Sequence, residues 1–359
     1  RKQRSSEGVA RHRTCRGRHF EGWGSAKSKP YNRSKVHRSG LDSIRVSVKC
    51  FVCLSFAAAV IVLIGLNTYS DGQYTTINMG PGHFLCYTGD GRLGNQMFRF
   101  ASLTGIATQN NFTLIISKND PLYRIFDLKN VLVLETPEVC DKFKLVQEAS
   151  CCCKFDKNLI ALPNNQSYTV GYYLQSWKYF SHVQKEICEQ FHFKNSTRKK
   201  ASLIVKNARS SFVLKSATLI SVHIRRGDLV KEKMYNNAGI VPAPKEYVYK
   251  AMDYMKDKFQ KSIFLVVSDD MNWSQETLGK RTKDNIYFVD DGNAPELDLA
   301  ILASCDHVIF TVGTFGWWAG FLARGITVYY THPARNGSQG ELRYNYDDLF
   351  LPHWIGLSV

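Results

Sequence analysis

From residue 83 onward the sequence predicts an α/β protein, a mostly parallel sheet covered by helices on both faces, with its working crevice at the carboxyl ends of the strands. Three observations predict it. Short apolar, β-branched runs alternate with amphipathic stretches as far as residue 330. Glycine-bearing loops at 89–96 and 313–316 each stand between a strand-like run and a helical pattern. The run Leu219-Ile220-Ser221-Val222-His223-Ile224 reads as a buried strand that delivers Arg225, Arg226, Gly227 and Asp228 at its end, where open α/β sheets gather ligands.

Taken in order, the chain of 359 residues opens on a basic tail, 1–49, with 14 Lys or Arg against 3 Asp or Glu and almost no apolar periodicity, which is expected to be disordered. Most of the net charge of +16 belongs to that tail. The remainder is only mildly basic, so nucleic acid is not an expected partner. Residues 50–66 are seventeen consecutive uncharged, largely apolar positions. Extended back across Lys49, which can snorkel, they approach the ~20 residues that cross a bilayer. The expectation is a single transmembrane signal-anchor in the lipid bilayer, with the basic flank cytosolic and the rest luminal. A polar stem follows at 67–82. Five sequons, at Asn111, Asn165, Asn195, Asn272 and Asn336, agree with a luminal, glycosylated domain. Seven of the ten cysteines lie beyond the anchor: Cys86, Cys140, Cys151, Cys152, Cys153, Cys188 and Cys305. Their pairing is not deducible, and the 151–153 run is poor zinc spacing.

A first α/β domain is expected over 83–200. It opens with a strand at 84–87, the loop Gly89-Asp90-Gly91-Arg92-Leu93-Gly94-Asn95-Gln96, a helix at 96–109 and strands at 112–116 and 131–134. The loop has neither dinucleotide nor Walker spacing, so its interest lies in Arg92, Asn95 and Gln96. The aromatic stretch 170–180 suits either sugar stacking or core. The polar connection 194–200 hands over to a second domain, 201–359, with helices at 201–213, 295–305 and 317–324 and strands at 219–224, 263–267, 286–289, 308–312 and 326–330.

Two adjacent guanidiniums repel each other, so a strand end that concentrates them expects a multivalent anion such as a diphosphate. In the loop Gly313-Thr314-Phe315-Gly316, the Thr314 hydroxyl and the N–H groups of a helix starting near Gly316 suit a phosphate or the adjoining sugar. No nucleophile elbow and no thiol beside a histidine is present, which argues against covalent acyl transfer. The pairs Asp269-Asp270, Asp290-Asp291 and Asp347-Asp348 read as turn and helix caps, and no metal site is expected because the arginines can neutralise a departing diphosphate.

Four blocks then resemble one family. Gly91-Arg92-Leu93-Gly94-Asn95-Gln96-Met97-Phe98, Val222-His223-Ile224-Arg225-Arg226-Gly227-Asp228, Val267-Ser268-Asp269-Asp270-Met271 with Trp273, and Thr311-Val312-Gly313-Thr314-Phe315-Gly316-Trp317-Trp318-Ala319 look like the galactoside alpha-1,2-fucosyltransferases of glycosyltransferase family 11. The closing Leu351-Pro352, Trp354 and Gly356 is similar too. The resemblance implies a GT-B-like enzyme of two Rossmann-like domains, anchored as a single-pass type II protein of the Golgi membrane. It implies transfer of L-fucose from GDP-fucose to the 2-hydroxyl of terminal galactose on glycans, with inversion, no obligatory metal and no cofactor. By the same resemblance His223, Arg225 and Arg226 lie at GDP-fucose, Arg225 at the β-phosphate. Thr314, with Phe315 and Gly316 of its loop, meets the diphosphate, Asp298 recognises guanine, and Asn95 stands near the transferred sugar. Asp228 is the expected base by position; its other reading is a carboxylate that orients an arginine and is thereby a poor base. A homodimer is compatible with all of this. The competing readings are another luminal nucleotide-sugar transferase, such as a protein O-fucosyltransferase, and a membrane-anchored lectin without activity.

Overall fold

The computed structural model describes residues 82–89, 91–150 and 152–359. The basic tail, the apolar run 50–66 and the stem up to residue 81 lie outside the described residues. Among the described residues no helix is long and apolar enough to cross a membrane.

Two parallel-sheet α/β domains follow one another. The first sheet has the order β3-β2-β1-β5-β4, built from β1 (His83–Tyr87), β2 (Phe112–Ser117), β3 (Val131–Leu134), β4 (Lys144–Gln147) and β5 (Tyr168–Gly171). The second has the order β11-β10-β9-β6-β7-β8: β6 (Thr218–Ile224), β7 (Ser262–Ser268), β8 (Ile286–Phe288), β9 (His307–Phe310), β10 (Thr327–Tyr330) and β11 (Ile355–Leu357). Every pairing between named strands is parallel. In each sheet the chain grows outward from one strand and then returns to its other side, so the order reverses between β1 and β5 and between β6 and β9. Such switch points leave a crevice at the strand ends because the two connections depart in opposite directions. The glycine loop follows β1, and His223 to Asp228 follows β6.

Helix α1 (Leu93–Asn110) ties the two sheets together. Its Phe98 packs 5.3 Å from Trp317 and 5.9 Å from Trp318, which belong to a helix of the second domain, and 6.1 Å from Phe180 of the first. These rings join one continuous core that draws on both sheets. Gly105 lets α1 approach so closely that a Cβ there would stand 2.1 Å from the Tyr179 carbonyl oxygen. A second cluster, with Ile220, Val222, Ile224, Tyr247 and Met252, covers the opposite face of β6. Strand alternation therefore puts His223 on the face that looks toward α1.

Three element boundaries differ from expectation, each for a physical reason. The polar stretch read as a connection is the first turn of α2 (Asn195–Ser210), a surface helix in which only Ala201 and Ala208 are buried, so it carries little apolar signal. Helix α1 starts at Leu93 because Gly94 and Asn95 sit inside its first turn. The helix expected to begin near Gly316 begins at Thr314, immediately after Gly313, whose φ of 95° closes the turn. Of the aromatic stretch, Tyr179 and Phe180 are core side chains, whereas Tyr172 is exposed. Cys86 and Cys140 form a disulfide and Cys188 is also disulfide-bonded, while the Cys305 thiol is buried, and burial pushes its pKa up to about 12.

Candidate active site

A cleft of about 450 Å³ opens where the two switch points face each other. Arg92, Leu93, Gln96, Pro121 and Ile125 line it from the first domain. His223, Arg225, Ser268, Asp269 and Phe315 line it from the second, along with Asn293, Glu296 and Asp298 near the start of α5 (Pro295–Ala303). α3 (Lys245–Lys258) packs on the far side of the second sheet, and α4 (Met271–Leu278) follows β7.

The paired arginines part company at the strand end. Arg225 is 4% exposed. Its Nε donates to Asp228 Oδ1 at 3.1 Å and its Nη2 to Asp228 Oδ2 at 2.7 Å, with a further bond of 3.2 Å to the Tyr235 hydroxyl. Its backbone N–H donates to Thr311 Oγ1 at 2.9 Å, which fastens the end of β6 to that of β9. Arg226 turns the other way, over the Trp273 ring at 4.6 Å and toward Asp270 at 3.5 Å, and does not line the cleft. Both carboxylates of the Asp269-Asp270 pair are used as caps. Asp269 Oδ1 accepts from the backbone N–H of Arg226 and Gly227 at 2.7 and 3.0 Å, and Asp270 caps α4.

Asp228 stands between two guanidiniums. Arg92, from the glycine loop of the other domain, donates to Asp228 Oδ2 at 2.8 Å. Burial alone would raise the Asp228 pKa, but the hydrogen bonds and charges of Arg225 and then Arg92 override it and hold the group at about 2. A carboxyl so acidic is a poor proton acceptor; the geometry gives it the work of holding Arg225. The sign of its linkage follows. The unfolded value is near 3.8 and the folded value lower, so this pair's stabilisation is present above about pH 4 and is lost as pH falls toward about 2. Asp228→Asn is expected to remove about 1 kcal/mol of that acid-sensitive stability, discounted for partial solvation, and denaturant titrations at pH 5 and pH 2.5 check it.

His223 is buried with its Nδ1 lacking a hydrogen-bond partner. Burial first, then the charges of Arg225 and Arg92, lower its pKa to about 4 against the pull of Asp269, so the ring is neutral near pH 7. Gly316 makes room for it: a Cβ there would stand 2.6 Å from His223 Nδ1. Phe315 caps the same ring, with centroids 5.2 Å apart.

Asn95 and Thr314 do not reach the cleft wall. Asn95 is 2% exposed, and its Oδ1 accepts from Gln175 Nε2 at 3.0 Å and from Thr314 Oγ1 at 3.4 Å. Thr314 lies at the first turn of α6 (Thr314–Leu322) and is fully buried, with Gly94 against it so closely that a Cβ would come 2.5 Å from its Oγ1. The backbone of Gly94 accepts from Trp318 Nε1 at 3.1 Å. These residues join the two domains behind the cleft. Asp298 does line the cleft. Burial raises its pKa to about 6 against a hydrogen bond of 3.0 Å from Asn293 Nδ2. Of the two rings that seat the arginines, Tyr235 carried no sequence signal, and Trp273 carried one only as a member of a resembling block. Arg92 and Gln96 carried one, as polar members of the glycine loop.

The cleft thus offers one buried and one exposed guanidinium tied to a common carboxylate, a neutral imidazole and a desolvated carboxyl. That set is chemically suited to a polyanion with a polar appendage and to negative charge developing on it. Comparison with known proteins agrees in kind. The model of glycosyl transferase family 11 matches residues 72–358. A galactoside alpha-(1,2)-fucosyltransferase 1 of Saimiri sciureus is 30% identical over 278 residues, 75% of this chain and 74% of the relative. A galactoside 2-alpha-L-fucosyltransferase SEC1 of Bos taurus is 29% identical over 276 residues, 75% and 72% of the two chains. Among solved structures, the chain is similar to a variant of Arabidopsis thaliana FUT1 in complex with GDP, with a TM-score of 0.48 at 12% identity, covering 80% of this chain and 77% of that one. It is also similar to POFUT1 in complex with GDP-fucose, with a TM-score of 0.45 at 13% identity, covering 68% and 95%. The kinship first suggested by four short blocks extends over most of the sequence, and the chain belongs to glycosyl transferase family 11.

Proposed function

We propose that this protein transfers L-fucose from GDP-fucose to the 2-hydroxyl of a terminal galactose on glycan acceptors, with inversion at the anomeric carbon. The observation that carries the reading is the cluster of Arg225, Asp228 and Arg92 in the cleft of a family 11 chain. In the GT-B-like arrangement the nucleotide lies along the ends of β6 and β7, guanine toward Asp298 and the β-phosphate at Arg225. As the bond from the anomeric carbon to the β-phosphate oxygen breaks, charge grows on that oxygen, and a guanidinium already oriented by Asp228 and Tyr235 meets it without reorganisation. The acceptor hydroxyl attacks from the opposite face and its proton leaves to solvent or to a cleft carboxylate other than Asp228. No metal is needed in this scheme.

The location we propose is the Golgi membrane, as a single-pass type II protein whose apolar run 50–66 enters the bilayer and whose catalytic domain is luminal. The disulfide between Cys86 and Cys140 supports an oxidising compartment, and all five sequon asparagines are exposed. Asn272, inside the Ser-Asp-Asp-Met block, faces solvent from α4.

The test uses the full chain in detergent, given GDP-fucose with β-galactosides or with folded protein acceptors, each with and without chelator. GDP release and an alpha-1,2-fucosylated product are expected, with chelator changing the rate by less than about twofold if the cations supply the charge stabilisation. Fucosylation of a folded protein in place of every galactoside would overturn the acceptor assignment, and the lack of any product would overturn the transfer reaction.

A further inference from the structure

Beside the carboxyl of Asp298 the cleft wall carries a side-chain amide with its nitrogen end fully committed. Asn293 Nδ2 donates to Asp298 Oδ1 at 3.0 Å and to the backbone carbonyl of Asp290 at 2.9 Å. A backbone carbonyl only accepts, so the nitrogen must be the end that faces it, and the two bonds use both amide protons. Asp290 lies just past β8, and the chain turns from there into α5 through Gly292, whose φ is 82°. Asn293 therefore ties the start of α5 back to the end of β8 and, with the same nitrogen, grips one oxygen of Asp298.

A free carboxyl rotates about its last torsion, and that freedom costs affinity where two adjacent N–H donors must be met together. With Oδ1 held by Asn293, the plane of the group is set before a base arrives. Oδ2 takes no hydrogen bond from the described residues and stays accessible at the cleft wall. The charged and titratable side chains around Asp298 are Glu296 on its own helix, Asp290 and Asp291 ahead of it, and Arg92, His223, Arg225 and Asp269 along the cleft. Helix α2, packed against α5, brings Arg198, Lys199, Lys200, Lys206 and Arg209. None of them sets the proton affinity of Asp298, which burial raises and the Asn293 bond lowers. The bond thus favours the carboxylate, the form that accepts from a base. We propose that Asn293 is a positioning residue of the donor site: its amide fixes the Asp298 carboxyl in the orientation that receives the N–H edge of the nucleobase. The inference rests on the reading of the cleft as the GDP-fucose site, with guanine at Asp298.

The test compares the full chain with its Asn293→Leu and Asn293→Asp variants, measuring the KM for GDP-fucose and kcat from pH 5 to pH 8 beside a thermal melt. Asn293→Leu removes the donor at similar volume. It is expected to raise the KM at pH 7 by roughly 3- to 10-fold, to leave kcat within about twofold, and to move the pH at which the KM levels off upward by about one pH unit. Asn293→Asp sets a second carboxyl against the first at unchanged size and is expected to move the transition at least as far. In an Asp298→Ala background, Asn293→Leu is expected to change the KM by less than about twofold, because the group it positions is gone. A purely structural role would lower the melt or kcat and leave the transition where it was. An unmoved transition in the folded variants, or the same rise in KM with and without Asp298, overturns the assignment. Should Asn293→Leu fail to fold, the isosteric Asn293→Asp decides by the same transition. A wild-type KM that is level across this range removes Asp298 from the base and Asn293 with it. A wild type that neither binds GDP nor turns over GDP-fucose sinks the reading of the cleft itself, whatever Asn293 does.

Discussion

Replacing Arg225 by alanine is expected to lower kcat by about 100-fold or more, and Arg225→Lys is expected to recover little of it. The reason is geometric. Asp228 grips Arg225 through two parallel hydrogen bonds, Tyr235 holds a third nitrogen contact, and the backbone is fastened to Thr311, so the guanidinium is rigid before any ligand arrives. A lysine ammonium is a single point charge on a flexible stem and cannot be held by both oxygens of one carboxylate in this way. Because the charge on the diphosphate grows only as the glycosidic bond breaks, the loss is expected mainly in kcat, with a smaller effect on the KM for GDP-fucose. The fold is not expected to be lost with it, since Asp228 keeps Arg92 as a partner and no lone charge is left in the cleft. Steady-state kinetics beside a thermal melt checks both halves. Near-wild-type turnover in a folded Arg225→Ala protein would remove Arg225 from the reaction.

Much of this site was readable before any coordinates, and what escaped did so for identifiable reasons. Strand β6 was plain because a β-branched run buried on both faces has no other common reading, and the switch-point position of its end follows from sheet order. The opposite fates of Arg225 and Arg226 were not plain. Neighbouring side chains at a strand end diverge, and which one enters the crevice depends on Tyr235 and Trp273, which come from later helices. Edge strand β4 left no mark because its residues are mostly exposed, and α2 left little because it buries only two alanines.

The glycine loop shows the same limit more sharply. Its spacing matched no phosphate motif, and the resemblance drew attention to Asn95. In the fold, Gly94 and Asn95 work inward, joining α1 to Thr314 and Trp318, while Arg92 and Gln96 face the cleft. Helix periodicity separates positions three and four apart from their neighbours, so a reading that moved the helix start back to Leu93 would have put Arg92 and Gln96 on one face and Asn95 on another. The resemblance named Asn95 by its motif, whereas the direction of its side chain depends on where the helix begins.

Asp298 gives the second large effect, and its pH dependence has the opposite sign to that of Asp228. Burial raises the Asp298 pKa to about 6 although Asn293 donates to it, so near pH 5 the free protein holds this carboxyl largely protonated. The unfolded value is near 3.8, so the folded state keeps a proton that the unfolded state has lost, and this group's contribution to stability declines as pH rises from about 4 to about 6. Donor binding runs the other way. The Watson–Crick edge of guanine presents two adjacent N–H donors, which a carboxylate accepts and a protonated carboxyl accepts poorly. The KM for GDP-fucose is therefore expected to fall as pH rises through about 6, approaching tenfold per unit on the acid side, with proton release on binding. Asp298→Ala is expected to raise it about 100-fold above pH 7, as charge-assisted bonds to a buried partner are lost. In Asp298→Asn the KM should be both raised and level across the same range. His223 and Asp228 titrate lower, at about 4 and about 2, and do not supply this transition. Glu296 also lines the cleft, so Glu296→Gln is the control that must keep the slope. A wild-type KM that stays level between pH 5 and pH 7, or a slope that survives in Asp298→Asn, would show that guanine is read elsewhere.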